Sequence, residues 1–104
     1  MNRVMNRIAL GLTIAVTALS TPAFAGKIER ACLKSDRAQG RQQLCRCIGR
    51  VADATLNGAD QRLAARFFKY PDLAQETRQS NSPSKEAFWE RYKAFAAKAS
   101  KSCR

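Results

Sequence analysis

The chain has 104 residues, with 19 Lys and Arg against 8 Asp and Glu, four cysteines, no histidine and a formal charge of +11. That length allows one domain. The missing histidine excludes Ser–His and Cys–His nucleophilic catalysis and His-ligated metal sites.

Residues 1–25 differ in kind from the rest. Arg3 and Arg7 are their only charges, and an apolar run from Ile8 to Leu19 follows. That run is shorter than the roughly 20 residues a membrane-spanning helix needs. Ala23-Phe24-Ala25 then supplies a small-x-small pattern. A basic start, a short apolar stretch and such a site read as a secretory signal peptide cleaved after Ala25. The expected product is 26–104, periplasmic or secreted, with no transmembrane span after cleavage. The residue directly after the cleavage point is Gly26, not a cysteine, so no lipid anchor is expected.

The remainder is rich in Ala and poor in β-branched residues, and its apolar spacing is helical. A first helix is expected from about Lys27 to Ala38, with Gly40 as its C-terminal cap. A second runs from about Arg41 to Leu56. Its Leu44, Ile48, Val51 and Thr55 form an apolar stripe, and Gln42, Gln43, Arg46, Gly49, Arg50 and Asp53 lie opposite. Asn57-Gly58 ends it. Asn57 with Asp60 resembles a helix N-cap, so a third helix is expected from about Ala59 to Lys69, with Leu63, Phe67 and Tyr70 on one face. Pro71 ends that helix, and a short one follows from Asp72 to about Gln79. Ser82 then fits an N-cap and Pro83 a first helical position. The last helix runs from Pro83 to Ser102, with Phe88, Tyr92, Phe95 and Ala99 as its stripe. The expected fold is all-α: a small disulfide-linked bundle of four to five short helices.

An even number of cysteines in a short exported chain reads as a disulfide framework. Two bonds of roughly 2–4 kcal/mol each would supplement a thin core. Cys45 and Cys47 diverge by about 200° around one helix, which disfavours bonding to each other. A hairpin about Gly40 sets opposite each other residues whose numbers total about 79, as those of Cys32 and Cys47 do. Cys32–Cys47 with Cys45–Cys103 is therefore the preferred pairing, and Cys32–Cys45 with Cys47–Cys103 the alternative. A second reading of Cys45-Arg46-Cys47 is a thiol–disulfide redox pair, with Arg46 and Arg50 lowering a thiol pKa. Exported cysteines being mostly structural, that reading ranks lower.

Basic residues recur at helical spacing: Arg30, Lys34, Arg37 and Arg41; Arg46 and Arg50; Arg62, Arg66 and Lys69. These nine are the candidate anion-binding residues. Lys93, Lys98 and Lys101 extend the pattern into the last helix. The excess of positive charge exceeds what solubility requires and points to an anionic partner. In an envelope compartment that partner is an anionic surface or an acidic protein. Nucleic acid is not expected, since no nucleic-acid-binding signature occurs. Phe67, Phe68, Tyr70, Phe88, Trp89, Tyr92 and Phe95 are spaced for packing, with Phe68 and Trp89 at stripe edges where a patch can be partly exposed. The carboxylate pairs Asp72/Glu76 and Glu86/Glu90 fall on solvent faces, and no Gly-rich loop or nucleophile elbow occurs. No catalytic residue, metal site or cofactor is expected.

Ala31-Cys32-Leu33, Leu44-Cys45-Arg46-Cys47-Ile48, Asp60-Gln61-Arg62-Leu63-Ala64-Ala65 with Phe67-Phe68, and Phe88-Trp89 with Arg91-Tyr92 together resemble small exported four-cysteine helical proteins of Gram-negative bacteria. Some of those carry the label "arginine transporter". The resemblance covers most of the chain beyond the signal and implies an accessory role in transport. The residues themselves imply a non-enzymatic periplasmic binding protein that docks through basic helix ridges.

Overall fold

The computed structural model describes residues 11, 26–36 and 40–104. Residue 11 aside, the expected signal peptide and its cleavage site lie outside the described residues, as do Arg37 and Ala38. Among the described residues the chain is all-α, with helices α1 (Lys27–Lys34), α2 (Gln42–Thr55), α3 (Gly58–Lys69), α4 (Pro71–Arg78) and α5 (Pro83–Ser102). None of these is long and apolar enough to cross a membrane.

Local chemistry sets most boundaries. The Asn57 side chain accepts a hydrogen bond from the Asp60 backbone N–H at 2.8 Å, capping α3 as expected. The Gln61 side chain reaches back and donates to the Leu56 carbonyl at 3.1 Å, satisfying a group at the end of α2. Pro71 both stops α3 and opens α4, so Tyr70 serves as the C-cap of one and the N-cap of the other. Tyr70 therefore leaves the helical period and is exposed, correcting its expected place on the α3 face. Pro83 begins α5 at the expected position.

The end of α1 differs from expectation. The helix stops at Lys34, and the Ser35 hydroxyl donates to the Cys32 carbonyl at 2.7 Å. A serine hydroxyl that binds the backbone locally competes with helix propagation. Gly40 does take a left-handed φ of 73°, but several residues beyond the end of α1 and just ahead of α2.

α1 packs against both α2 and α3, α2 against α5, and α4 against α3 and α5. The core comprises Ile28, Val51, Ala52, Leu56, Ala64, Phe67, Phe88, Phe95 and Ala99. Phe67 joins α3 to α5 by meeting Phe88 edge-on at 5.9 Å and Tyr92 edge-on at 5.2 Å. Edge-to-face contacts of this kind add to the gain from burial.

The α1–α2 crossing is unusually close. A Cβ placed on Gly49 would lie 2.8 Å from Glu29 Cβ, so only glycine permits this approach. Gly49 is therefore buried, not on the outer face as its spacing suggested. Down the crossing, Gly26 meets Asp53, Glu29 meets Gly49, and Cys32 meets Cys45. Steps of three residues on α1 thus match steps of four on α2, the ridge-and-groove pattern of helices crossing at a shallow angle.

That mismatch corrects the preferred disulfide pairing. A hairpin register that holds at Gly26 has slipped by two residues at Cys32, which therefore bonds Cys45, with Cα atoms 5.5 Å apart. Cys45, Gly49 and Ala52 form the buried line of α2. Cys47 points to a different side and bonds Cys103 at the end of α5, with Cα atoms 5.7 Å apart. Cys45 and Cys47 thus each hold a different helix, and no described cysteine is free.

Candidate functional site

Two of the basic ridges converge. Arg30 and Lys34 on α1, extended one turn back by Lys27, form a row at spacings of three and four. Arg62, Arg66 and Lys69 form a second row on α3. Both rows line one cleft of about 610 Å³ between α1 and α3. Ala31, Ala65 and Phe68 contribute apolar lining between the rows, and Ser35 and Tyr70 complete it. None of the lining residues is acidic.

Of the carboxylates near the cleft, Glu29 and Asp60 are engaged outside it, whereas Asp72 and Glu76 border an adjoining hollow that shares Arg66, Lys69 and Tyr70. Among the described residues the ion pairs are Glu29–Arg46 at 4.0 Å, Asp60–Arg91 at 2.7 Å and Glu90–Lys93 at 2.9 Å. Lys27, Lys34, Arg62, Arg66 and Lys69 thus have no acidic partner among those residues. Asp60 lies two residues from Arg62 but is buried and bound in bidentate fashion by Arg91: Nε donates to Oδ2 at 2.7 Å and Nη2 to Oδ1 at 3.0 Å. The hydrogen bond and charge of Asp60 raise the Arg91 pKa above its ordinary strongly basic value, against a lowering by desolvation. This pair clamps α3 to α5 and spends the Asp60 charge on a partner outside the cleft.

The other expected residues fall elsewhere. Arg46 and Arg50 of α2, with Arg104, border a smaller cleft of about 360 Å³ around the Cys47–Cys103 bond. There Arg46 is partly offset by Glu29. Arg41 sits at the exposed N-terminus of α2 and lines neither cleft. Arg37 lies outside the described residues.

Sequence reasoning missed Lys27 and Tyr70 as cleft residues. The Lys27 signal was present, since it stands three residues before Arg30 in the same row. Tyr70 carried none, because its exposure follows from the turn at Pro71. Among the described residues Tyr70 and Leu33 are the exposed large apolar side chains, whereas Phe68 and Trp89 are half-buried. The described residues hold no group of His, Cys, Asp and Glu suited to a metal ion.

What the site can do follows from its parts. Arg presents planar, multi-donor forks and Lys a mobile point charge, and both bind phosphate or carboxylate oxygens. Aliphatic and aromatic lining beside them suits a ligand that is anionic at one end and apolar at the other. No family model, no curated protein and no solved structure matches the chain.

Proposed function

We propose that this protein is a non-enzymatic binding protein of the cell envelope that docks an anionic surface or acidic partner through the α1/α3 cleft. One observation carries the reading: two rows of three cations line a single cleft in which no lining residue is acidic. Like charges gathered on facing helices repel, so the arrangement costs stability unless an anion visits it. An envelope location accords with the two disulfides, which persist in oxidising compartments. The accessory transport role implied by the resemblance rests on that resemblance alone, because a cationic cleft repels a cationic amino acid.

Retention on a polyanionic resin tests the reading. Binding by opposed charges weakens as the screening length falls from about 30 Å at 0.01 M salt to about 3 Å at 1 M. The protein should bind at low salt and elute in a sharp, salt-dependent band. Passage through the resin at low salt, or retention that ignores salt, would refute it.

A further inference from the structure

The cleft is amphiphilic, and its surroundings say what kind of anion it takes. Phe68 lines it between the cation rows. Tyr70, 51 % exposed, lines it just past the end of α3. Leu33, 40 % exposed, is the other exposed large apolar side chain among the described residues, but it lies on α1 outside the cleft lining.

A protein partner would need a broad contact of about 800 Å² per side, with hydrogen-bonding groups for its backbone. The cleft instead has a volume of about 610 Å³, within the usual range for small ligands. Its one neutral hydroxyl besides Tyr70 is that of Ser35. A group with concentrated negative charge joined directly to hydrocarbon fits this lining better than a peptide does.

We propose that the α1/α3 cleft receives the phosphate-bearing headgroup of an anionic phospholipid, with Tyr70 contacting the adjoining apolar layer. The protein then rests on the membrane surface without spanning it. Arg62 and Arg66 hold the phosphate oxygens, and Phe68 packs against the glycerol and upper acyl carbons. Tyr70 is amphipathic and suits headgroup depth. This assignment rests on the anion-docking reading of the same cleft and narrows it to one source of anion.

The test is flotation of purified protein, with both disulfides formed, with vesicles of phosphatidylcholine alone or with added phosphatidylglycerol. The expected result is binding only where phosphatidylglycerol is present. The R62Q/R66Q variant should lower the partition coefficient roughly thirtyfold, since each surface-facing cation contributes about fivefold. R50Q/R104Q removes the same charge from the other cleft and should lower it by less than about threefold. Y70S, which changes no charge, should weaken binding several-fold, whereas L33S, outside the cleft lining, should leave it nearly unchanged. All variants share the rest of the chain, so contributions common to them cancel. Circular dichroism confirms folding, and K34Q/K69Q serves as a second pair if R62Q/R66Q unfolds.

Equal losses from the two charge-matched variants would overturn the assignment in favour of diffuse net-charge attraction. Vesicle binding untouched by Y70S would overturn it too. Complete displacement by millimolar inorganic phosphate at fixed ionic strength would make the ligand a free phosphate and not a lipid. Binding to polyglutamate but not to vesicles would refute the lipid and leave the docking reading standing, whereas binding to neither would remove both.

Discussion

Gly49→Ala should destabilise the protein, although the same change in most helices stabilises it. Replacing a helix-interior glycine by alanine ordinarily gains about 0.8–1.0 kcal/mol. Here the new Cβ would meet Glu29 Cβ at 2.8 Å and the Glu29 backbone N and Cα at 3.4 Å. Carbon atoms settle at about 3.5–4.0 Å, so the helices must part by roughly 0.7–1.2 Å. The Glu29 atoms are rooted in the α1 backbone and cannot swing aside. α1 cannot easily lift, because Ile28 is buried beside the contact and Cys32 is bonded to Cys45 one turn on. Overpacking of this kind costs about 1–3 kcal/mol. Subtracting the propensity gain leaves a net loss of about 1 kcal/mol at the middle of that range and about 2 at its top, a fall in Tm of roughly 5–15 °C for a domain this size. Urea unfolding followed by circular dichroism, without reductant, measures it. Gly58→Ala is the control, since its Cβ would meet only Arg62 Nη1 at 3.8 Å. It should be neutral or slightly stabilising. A Gly49→Ala protein as stable as the parent would refute the close crossing. In a Cys32→Ala/Cys45→Ala background α1 is free to lift and the penalty should shrink; an undiminished penalty would refute the pinning.

Other consequences can be measured directly. Asn57→Ala removes the α3 cap and should cost about 1 kcal/mol in the same assay. Mild reductant should open Cys47–Cys103, which is half-buried, before the buried Cys32–Cys45; alkylation and mass mapping would show Cys47 and Cys103 labelled first, and the reverse order would refute this. Loss of Cys47–Cys103, whose partners are 56 residues apart, should cost about 4 kcal/mol against about 3 for the 13-residue separation of Cys32–Cys45. Arg91→Gln should destabilise more than Asp60→Asn, because it strands a buried carboxylate whereas the reverse change leaves a guanidinium that water reaches. Since the Arg91 pKa is raised, its contribution is present below its unfolded pKa and lost only in strong alkali, so Arg91 deprotonation does not weaken the pair near neutral pH.

Helix content, the last helix and the Asn57 cap were legible because they depend on neighbours in sequence. Period, capping residues and Pro83 act within one or two turns. The disulfide pairing was not legible, because it turns on how two helices index against each other. Counting outward from Gly40 assumes equal steps on both, and the slip from Gly26–Asp53 to Cys32–Cys45 arises because the steps are three and four. Gly49 was misplaced for a related reason: a glycine looks polar in a periodicity reading, yet it marks where another helix comes closest. The basic rows were legible one helix at a time. Their meeting across one cleft depends on α1 lying against α3, which no local pattern encodes. The Asp60–Arg91 pair spans 31 residues and is equally invisible to local reading.

The buried disulfide and the cationic cleft are two parts of one arrangement. α1 has eight residues, well short of the roughly 12–15 needed for a helix to persist by itself in water. It also carries three cations that face three more on α3. Like charges gathered in one cleft repel, though each exposed pair does so only weakly in water and salt. A disulfide closing a loop as short as Cys32–Cys45 is expected to contribute roughly 3 kcal/mol against that repulsion. The bond, the Gly49 crossing and the burial of Ile28 together hold α1 where its own charges resist placement. On the proposed reading a bound anion would relieve the same repulsion, so the cleft would be held open by covalent chemistry and steadied by its ligand. Opening Cys32–Cys45 should therefore remove one wall of the cleft and abolish docking, whereas opening Cys47–Cys103 frees the end of α5 and leaves both cation rows in place.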